Sequence, residues 1–426
     1  MKTTLKTLAL FLTVCTAAHA QVVPAATGPG GLPVSGSLHY ALRYSETAQF
    51  SSLLPDMQTV AVSGSADYAN VSERRPFSMN YAGGYTWTPV GPSYETGLFQ
   101  RMLLSQGIDW RKWQVLVSDD VSYLPQSPTT GFSGIPGVGE PIGGTNPPPS
   151  TSQSILVLNT HVVDNIAKAD LEHSFSAATA LSAGGSDELL RYPDGNGYNT
   201  DTESAILEIT QRLNARNRLL GRYAFSQFSY PDLPGVTYSV TFTTNTGLFG
   251  FQHKWSRNLT TDVAAGPQWL SSSEATLLPS STNVSVNADT NLLLRFTSAG
   301  VSYSRSTNGG GGYLVGGETD IVQGNVLHEF GTNLTIGLTG GYLRTAGLSN
   351  NGLTTTAGLN TGGVTDSTFG GAQATWRFGR NIIVFANYTG TDQWSTSALP
   401  ANAINQLLQV VGFGVGYSPR DTHLRQ

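Results

Sequence analysis

Cysteine is all but missing from this chain: among 426 residues the single thiol is Cys15. It falls inside residues 1–20, which have the form of a secretory leader. Lys2 and Lys6 give the positive start, residues 8–14 the apolar core, and Ala18-His19-Ala20 the small-residue cleavage site before Gln21. Val14 is too bulky for a lipoprotein processing box around Cys15. Cleavage after Ala20 leaves no thiol, which excludes a disulfide framework and any thiolate site. It also removes two lysines, taking the formal charge from -5 to -7. Charge itself is scarce. Asp, Glu, Lys and Arg make up 12% of residues, about half of what a soluble protein carries. Long apolar runs are missing too. No stretch after the leader approaches the ~18 uninterrupted apolar residues of a transmembrane helix. No basic cluster suits nucleic acid, and no Gly-x-Ser-x-Gly elbow supplies a hydrolase nucleophile. His161, His173, His253 and His328 are scattered without metal-site spacing. No cofactor, metal or enzymatic activity is expected.

What the chain has is glycine (49 residues), 10% aromatics, and much Ser, Thr and Asn. Low charge with moderate hydropathy fits a sheet with one face in lipid and one in water. Down the second half a short phrase recurs, in which an aromatic or leucine is followed by a polar turn and a fresh apolar alternation. It stands at Phe175-Ser176, Leu213-Asn214, Trp255-Ser256, Phe296-Thr297, Phe330-Gly331 and Phe378-Gly379. The interval of roughly 35–48 residues is two long strands, a tight turn and a longer loop. Alternations before the repeats run near residues 38–44, 58–69, 77–88, 93–106 and 112–123, and the last lies near 404–418. The count is about eighteen strands, with sixteen as the alternative. The expected fold is all-β: a single transmembrane antiparallel up-and-down barrel over residues 36–418. A Pro/Gly-rich periplasmic lead-in (21–35) precedes it and a short tail (419–426) follows. An open sheet would leave unpaired backbone groups in hydrocarbon at several kcal/mol each, so the ring must close.

Facing follows from the turns. Phe175, Trp255, Phe296, Phe330 and Phe378 form an aromatic girdle at one interface. Stepping back by two gives a lipid face that includes Leu171, Leu207, Ile209, Phe251, Val326 and Trp376. Most charges near these turns fall on the other set. The expected pore lining is Arg43, Lys168, Asp170, Glu172, Glu208, Arg212, Arg222, Lys254, Asp262, Arg295, Glu329 and Arg377. Their mixed signs also suit cross-strand pairing, which does not exclude a channel. The phase fails in one place. Val240 and Phe242 fall in register with Gln252 and Lys254, and a bulge near Asn245 to Gly247 is expected to repair it.

The leader, the hairpin repeat, the aromatic-then-turn rhythm and the closing strand from Gln409 to Tyr417 resemble Gram-negative outer-membrane β-barrel proteins of porin-like size. The resemblance covers nearly all of the mature chain and is generic in detail. It implies outer-membrane lipid, the barrel-assembly machinery and small solutes as partners, and it admits a homo-oligomer. Many such barrels end on an aromatic read by the assembly machinery, whereas here nine residues follow Tyr417. In general porins the third external loop folds inward. The corresponding loop here, 124–153, is Pro- and Gly-rich and carries only Glu140 as a charge, making Glu140 the candidate at a constriction. The expected function is passive diffusion of small hydrophilic solutes. The alternative is a blocked surface barrel serving adhesion or envelope assembly.

Overall fold

A computed structural model of the chain describes residues 37–51, 56–70, 72, 74–91, 96–125, 161–195, 197–233, 238–275, 278–310, 314–348, 363–379, 381–395 and 406–419. The leader, the lead-in, Glu140 with its loop, and all of the tail but Pro419 lie outside these residues. In chain order the strands are β1 (Ser37–Ser51), β2 (Met57–Asn70), β3 (Phe77–Val90), β4 (Gly97–Trp110), β5 (Trp113–Pro125) and β6 (His161–Ser174). Then come β7 (Thr179–Arg191), β8 (Thr200–Arg212), β9 (Asn217–Tyr230), β10 (Val240–Lys254), β11 (Leu259–Ser272) and β12 (Ser281–Leu293). The ring is completed by β13 (Thr297–Asn308), β14 (Gly317–Phe330), β15 (Leu334–Gly347), β16 (Val364–Phe378), β17 (Ile382–Ser395) and β18 (Leu407–Tyr417). The larger of the two expected strand counts is the observed one.

Each strand pairs antiparallel with its neighbours in sequence, and β1 also pairs with β18, from Leu42 opposite Tyr417 to Ser51 opposite Leu408. The eighteen strands therefore form one 18-stranded sheet closed on itself. Closure gives the strand N–H and C=O groups partners without water, the condition for spanning hydrocarbon.

The recurring turns use two chemistries. In the first, a side-chain oxygen caps the turn. Ser176 Oγ accepts from the amides of Ala178 and Thr179 at 3.1 and 3.0 Å, and Ser256 Oγ does the same for Asn258 and Leu259. Asn214 Oδ1 accepts from Arg216 and Asn217 at 2.8 and 2.9 Å. These Ser and Asn turns reverse the chain without a glycine. In the second, Gly331 and Gly379 take φ of 69° and 60°, the left-handed region that costs a side-chain-bearing residue strain.

Alternation sets two faces. Leu207, Ile209, Phe249, Val263, Val301 and Leu338 stand exposed on the outside of the ring. Phe175, Trp255, Phe296, Phe330 and Phe378 are exposed just at the short turns. At the long-loop end the outer face turns polar: Arg305 bridges Glu318, Tyr303 donates to Asp320 at 2.8 Å, and Tyr342 donates to Asp366. Carboxylates interrupt the belt at Glu46 on β1, which accepts from Tyr44 Oη, and on β5. Asp119, between Trp113 and Tyr123 on the outer side of β5, accepts from Asn165 Nδ2 at 2.8 Å.

The expected bulge in β10 is absent. Its register with β9 runs unbroken from Val240 opposite Tyr230 to His253 opposite Asn217. The ladder irregularity lies instead between β2 and β3, at Gln58 and Val60. Val240 and Phe242 therefore point inward with Gln252, and both are fully buried. Their apolar character has another cause, a cluster inside the barrel mouth described below.

Candidate functional site: the barrel lumen

The inner wall divides into two arcs. From β4 to β12 it is charged. Arg101 stands on β4, Asp120 on β5, and Asp164, Lys168, Asp170 and Glu172 on β6. Glu188 follows on β7, Glu208 and Arg212 on β8, Arg218 and Arg222 on β9, Lys254 on β10, Asp262 on β11 and Asp289 on β12. Asp109 adds a carboxylate near the β4–β5 turn. Arg101 grips Asp120 through both nitrogens, Nε to Oδ1 at 3.1 Å and Nη2 to Oδ2 at 2.7 Å. Arg222 Nε donates to Glu208 at 2.7 Å. Both pairs join neighbouring strands, the geometry in which opposite charges stabilise a sheet.

From β13 to β18 the inner wall carries Ser302, Ser304, Asn325, Thr339, Gln373 and Asn387. Among the described residues its inward charges are Glu329 and Arg377, close to the short turns. Arg377 donates to the carbonyl of Ser418 at 3.2 Å. Two inward aromatics on this arc lie flat against glycines. A Cβ on Gly414 would sit 2.3 Å from Phe385 Cζ, and one on Gly341 would sit 2.6 Å from Phe369 Cζ. The glycines let these rings hug the wall rather than project from it. Arg43 on β1 and Asp67 on β2 close the ring with one charge of each sign.

The described residues between β13 and β14 turn into the lumen. Val315 is fully buried against Phe228, Tyr230, Val240, Phe242, Leu270 and Leu278. Leu314 reaches further and packs on Val162, Leu190 and Tyr192, of β6, β7 and the loop after β7. The loop thus leaves its own strands and crosses the mouth to a wall several strands away. It is pinned at both ends by one side chain. Tyr230 Oη donates to the Gly309 carbonyl at 2.8 Å and accepts from the Gly316 amide at 2.9 Å. Just before it, Gln268 on β11 accepts from Thr307 N and Oγ1 at 3.2 and 2.8 Å, drawing the end of β13 inward.

Of the residues singled out in the sequence, Arg43, Lys168, Asp170, Glu172, Glu208, Arg222, Lys254 and Asp262 lie on inward positions of the strands. Arg212, Glu329 and Arg377 are inward at the short-turn ends. Arg295 is not on a strand: it sits in the β12–β13 turn, exposed, with its guanidinium 4.8 Å from the Phe296 ring centre. Sequence reasoning missed Asp67, Arg101, Asp109, Asp120, Asp164, Glu188, Arg218 and Asp289; all but Arg218, which directly follows the turn at Asn217, lie away from the repeated turns or on strands with weak alternation. It also missed the inward loop, whose one trace was the misphased Val240 and Phe242.

Outside the membrane belt, His161 ties the β7–β8 loop to β6. Its amide donates to Asp194 Oδ2 at 2.9 Å and its Nδ1 lies 3.0 Å from the same oxygen. Burial alone would raise the Asp194 carboxyl, but these contacts hold it below its usual value.

A closed antiparallel ring with an apolar exterior and a polar interior is the architecture of a membrane-spanning β-barrel. No protein-family model and no curated protein matches the sequence. Among solved structures the chain is similar to OccK2 (OpdF) of Pseudomonas aeruginosa in complex with glucuronate, at 10% identity and a TM-score of 0.46, covering 91% of this chain and 99% of that one. It is also similar to the P. aeruginosa outer membrane protein OpdK (9% identity, TM-score 0.43, covering 90% and 98%). A third is OccAB3 of Acinetobacter baumannii (9% identity, TM-score 0.42, covering 89% and 98%).

Proposed function

We propose that this chain is a bacterial outer-membrane channel through which small hydrophilic solutes diffuse passively. The observation that carries the reading is the closed eighteen-strand ring with a polar inner face. Side chains fill the interior of a barrel of about eight strands, whereas one of 16–18 leaves an aqueous passage unless it is plugged. On this reading the inward charges, with Arg101, Asp120, Asp164 and Glu188 added to those expected from sequence, line the passage. The β13–β14 loop narrows its outer mouth. The exposed aromatics at the short turns form the girdle at the periplasmic leaflet, where a ring can sit between hydrocarbon and headgroups. The leader would deliver the chain for export, and the barrel-assembly machinery would insert it.

The test is conductance of the refolded protein in planar lipid bilayers. Discrete, uniform steps are expected, and their absence would end the channel reading. One observation favours a second reading, a blocked surface barrel: the buried apolar cluster in the mouth around Tyr230 and Val315. A folded barrel that gives no steps, yet gives them once residues 309–316 are replaced by a short turn, would establish that alternative.

A further inference from the structure

We infer that the passage selects for cations, and that permeating cations pause at the carboxylates Asp164 and Glu188 beneath the inward loop. This rests on the channel reading and adds to it the chemical class of solute: inorganic cations and small organic molecules with an ammonium group.

The first observation is the charge balance of the inner wall. Between β4 and β12 nine inward carboxylates face six inward cations. Each remaining arc is balanced, Arg43 with Asp67 and Arg377 with Glu329. The lumen is therefore acidic overall among the described residues. A low-dielectric wall focuses the field of such an excess and raises the local concentration of the opposite charge. Two of the six cations are also engaged. Arg101 is held by Asp120 and Arg222 by Glu208, so neither presents an uncompensated positive charge to a passing anion.

The second observation is local. Asp164 lies within electrostatic range of two like charges, Glu188 and Asp120, and of two cations, Arg101 and Lys168. Glu188 stands two residues before Leu190, the residue opposite Asp164, so the two carboxylates are diagonal neighbours on one wall. The Oδ1 atom of Asp164 is buried and has no hydrogen-bond partner. A buried carboxylate oxygen without a donor is costly unless a cation or a donor supplies what the protein does not. The loop explains the burial. Leu190 stands directly opposite Asp164 in the β6–β7 register, Val162 is two residues before it, and Leu314 packs on both. Leu314 thus packs on the two residues that flank the carboxylate and leaves an acceptor at the narrowed mouth. An ammonium group or a partly dehydrated alkali cation meets both requirements, whereas an anion meets neither.

The experiment is the reversal potential of the refolded full-length channel in a planar bilayer under a potassium chloride gradient. The expected wild-type value has the sign set by potassium, with a cation-to-anion permeability ratio above unity. The double variant Asp164→Asn/Glu188→Gln should bring the ratio several-fold closer to unity. Asp187→Asn, which removes the outward carboxylate next to Glu188, should leave it unchanged. Clear conductance steps with a zero or chloride-directed reversal potential in the wild type would overturn this inference while sparing the channel reading. So would a double variant that conducts with wild-type selectivity. Absence of any steps would overturn the channel reading and this inference with it. Should the double variant fail to refold, Asp164→Glu, which keeps the charge, and the wild-type measurement still decide the matter.

Discussion

The two arcs of the inner wall are built from the same strand geometry and differ in chemistry. The arc from β4 to β12 holds nearly all the inward charge and, at its outer end, the apolar cluster that receives the β13–β14 loop. The arc from β13 to β18 holds hydroxyls, amides, and aromatics flattened onto glycine. Its strands carry charge too, but outward at the long-loop end, in Arg305, Glu318, Asp320 and Asp366. Lumen-facing strand charge is therefore concentrated on the first arc, while outward charge at the long-loop end marks where the outer apolar belt stops on both. On the proposed function, the difference places solute contacts and narrowing on one side of the passage, with the other side a wall of hydroxyls and amides.

The comparison breaks most visibly if the loop is removed. Replacing residues 309–316 with a two-residue turn should raise single-channel conductance several-fold, because the mouth over the charged arc opens. An unchanged conductance would mean the loop narrows nothing. Tyr230→Phe is the milder form. It strips Gly309 and Gly316 of their shared partner, a loss of about 1–3 kcal/mol at the loop anchor. It should give frequent excursions to a higher conductance level while the barrel stays folded.

A second contrast sets Arg222 against Thr389. Arg222→Ala leaves Glu208, whose side chain is 11% exposed, without its partner. It should lower stability by about 1–3 kcal/mol, read from the urea midpoint of the heat-modifiable folded band. Thr389→Val, which removes one buried hydroxyl on the neutral arc without stranding a charge, should cost no more than about 1 kcal/mol. Equal effects would erase the energetic distinction between the arcs.

The smallest effect is at the surface. Because Asp194 is held below its usual value by His161, the stability it contributes is present above the ordinary carboxylate range. That stability is lost as pH falls through the lowered value. The midpoint difference between wild type and Asp194→Asn should therefore shrink toward zero in acid. A difference that grows in acid would reverse the assignment.

The ring and its two faces were legible in the sequence because a period of two is a local property. Phe251, Gln252 and the turn at Trp255 suffice to orient β10. The turns were legible for the same reason, since Ser176, Asn214 and Ser256 act on amides two and three residues away. The inward loop was not legible. Its position depends on contacts between Leu314 and Val162 and between Val315 and Phe228, pairs far apart in the chain. Local alternation records such contacts only as an anomaly. Val240 and Phe242 were that anomaly, and a bulge accounts for a phase break as well as an internal apolar cluster does. Arg101 and Asp120 stayed hidden because β4 and β5 precede the repeated phrase that fixed the phase elsewhere.

The central claim is that the outward set of side chains meets lipid and the inward set meets water. The chain's single native cysteine, Cys15, precedes β1, so on a Cys15→Ser background a cysteine introduced into the barrel is a clean probe. Val263→Cys, Ala264→Cys, Leu338→Cys and Thr339→Cys would each be treated, in intact outer membranes, with a small charged thiol reagent that does not enter lipid. The account predicts labelling at 264 and 339 and protection at 263 and 338. Labelling at 263 and 338 with protection at 264 and 339, or labelling at all four, would contradict it.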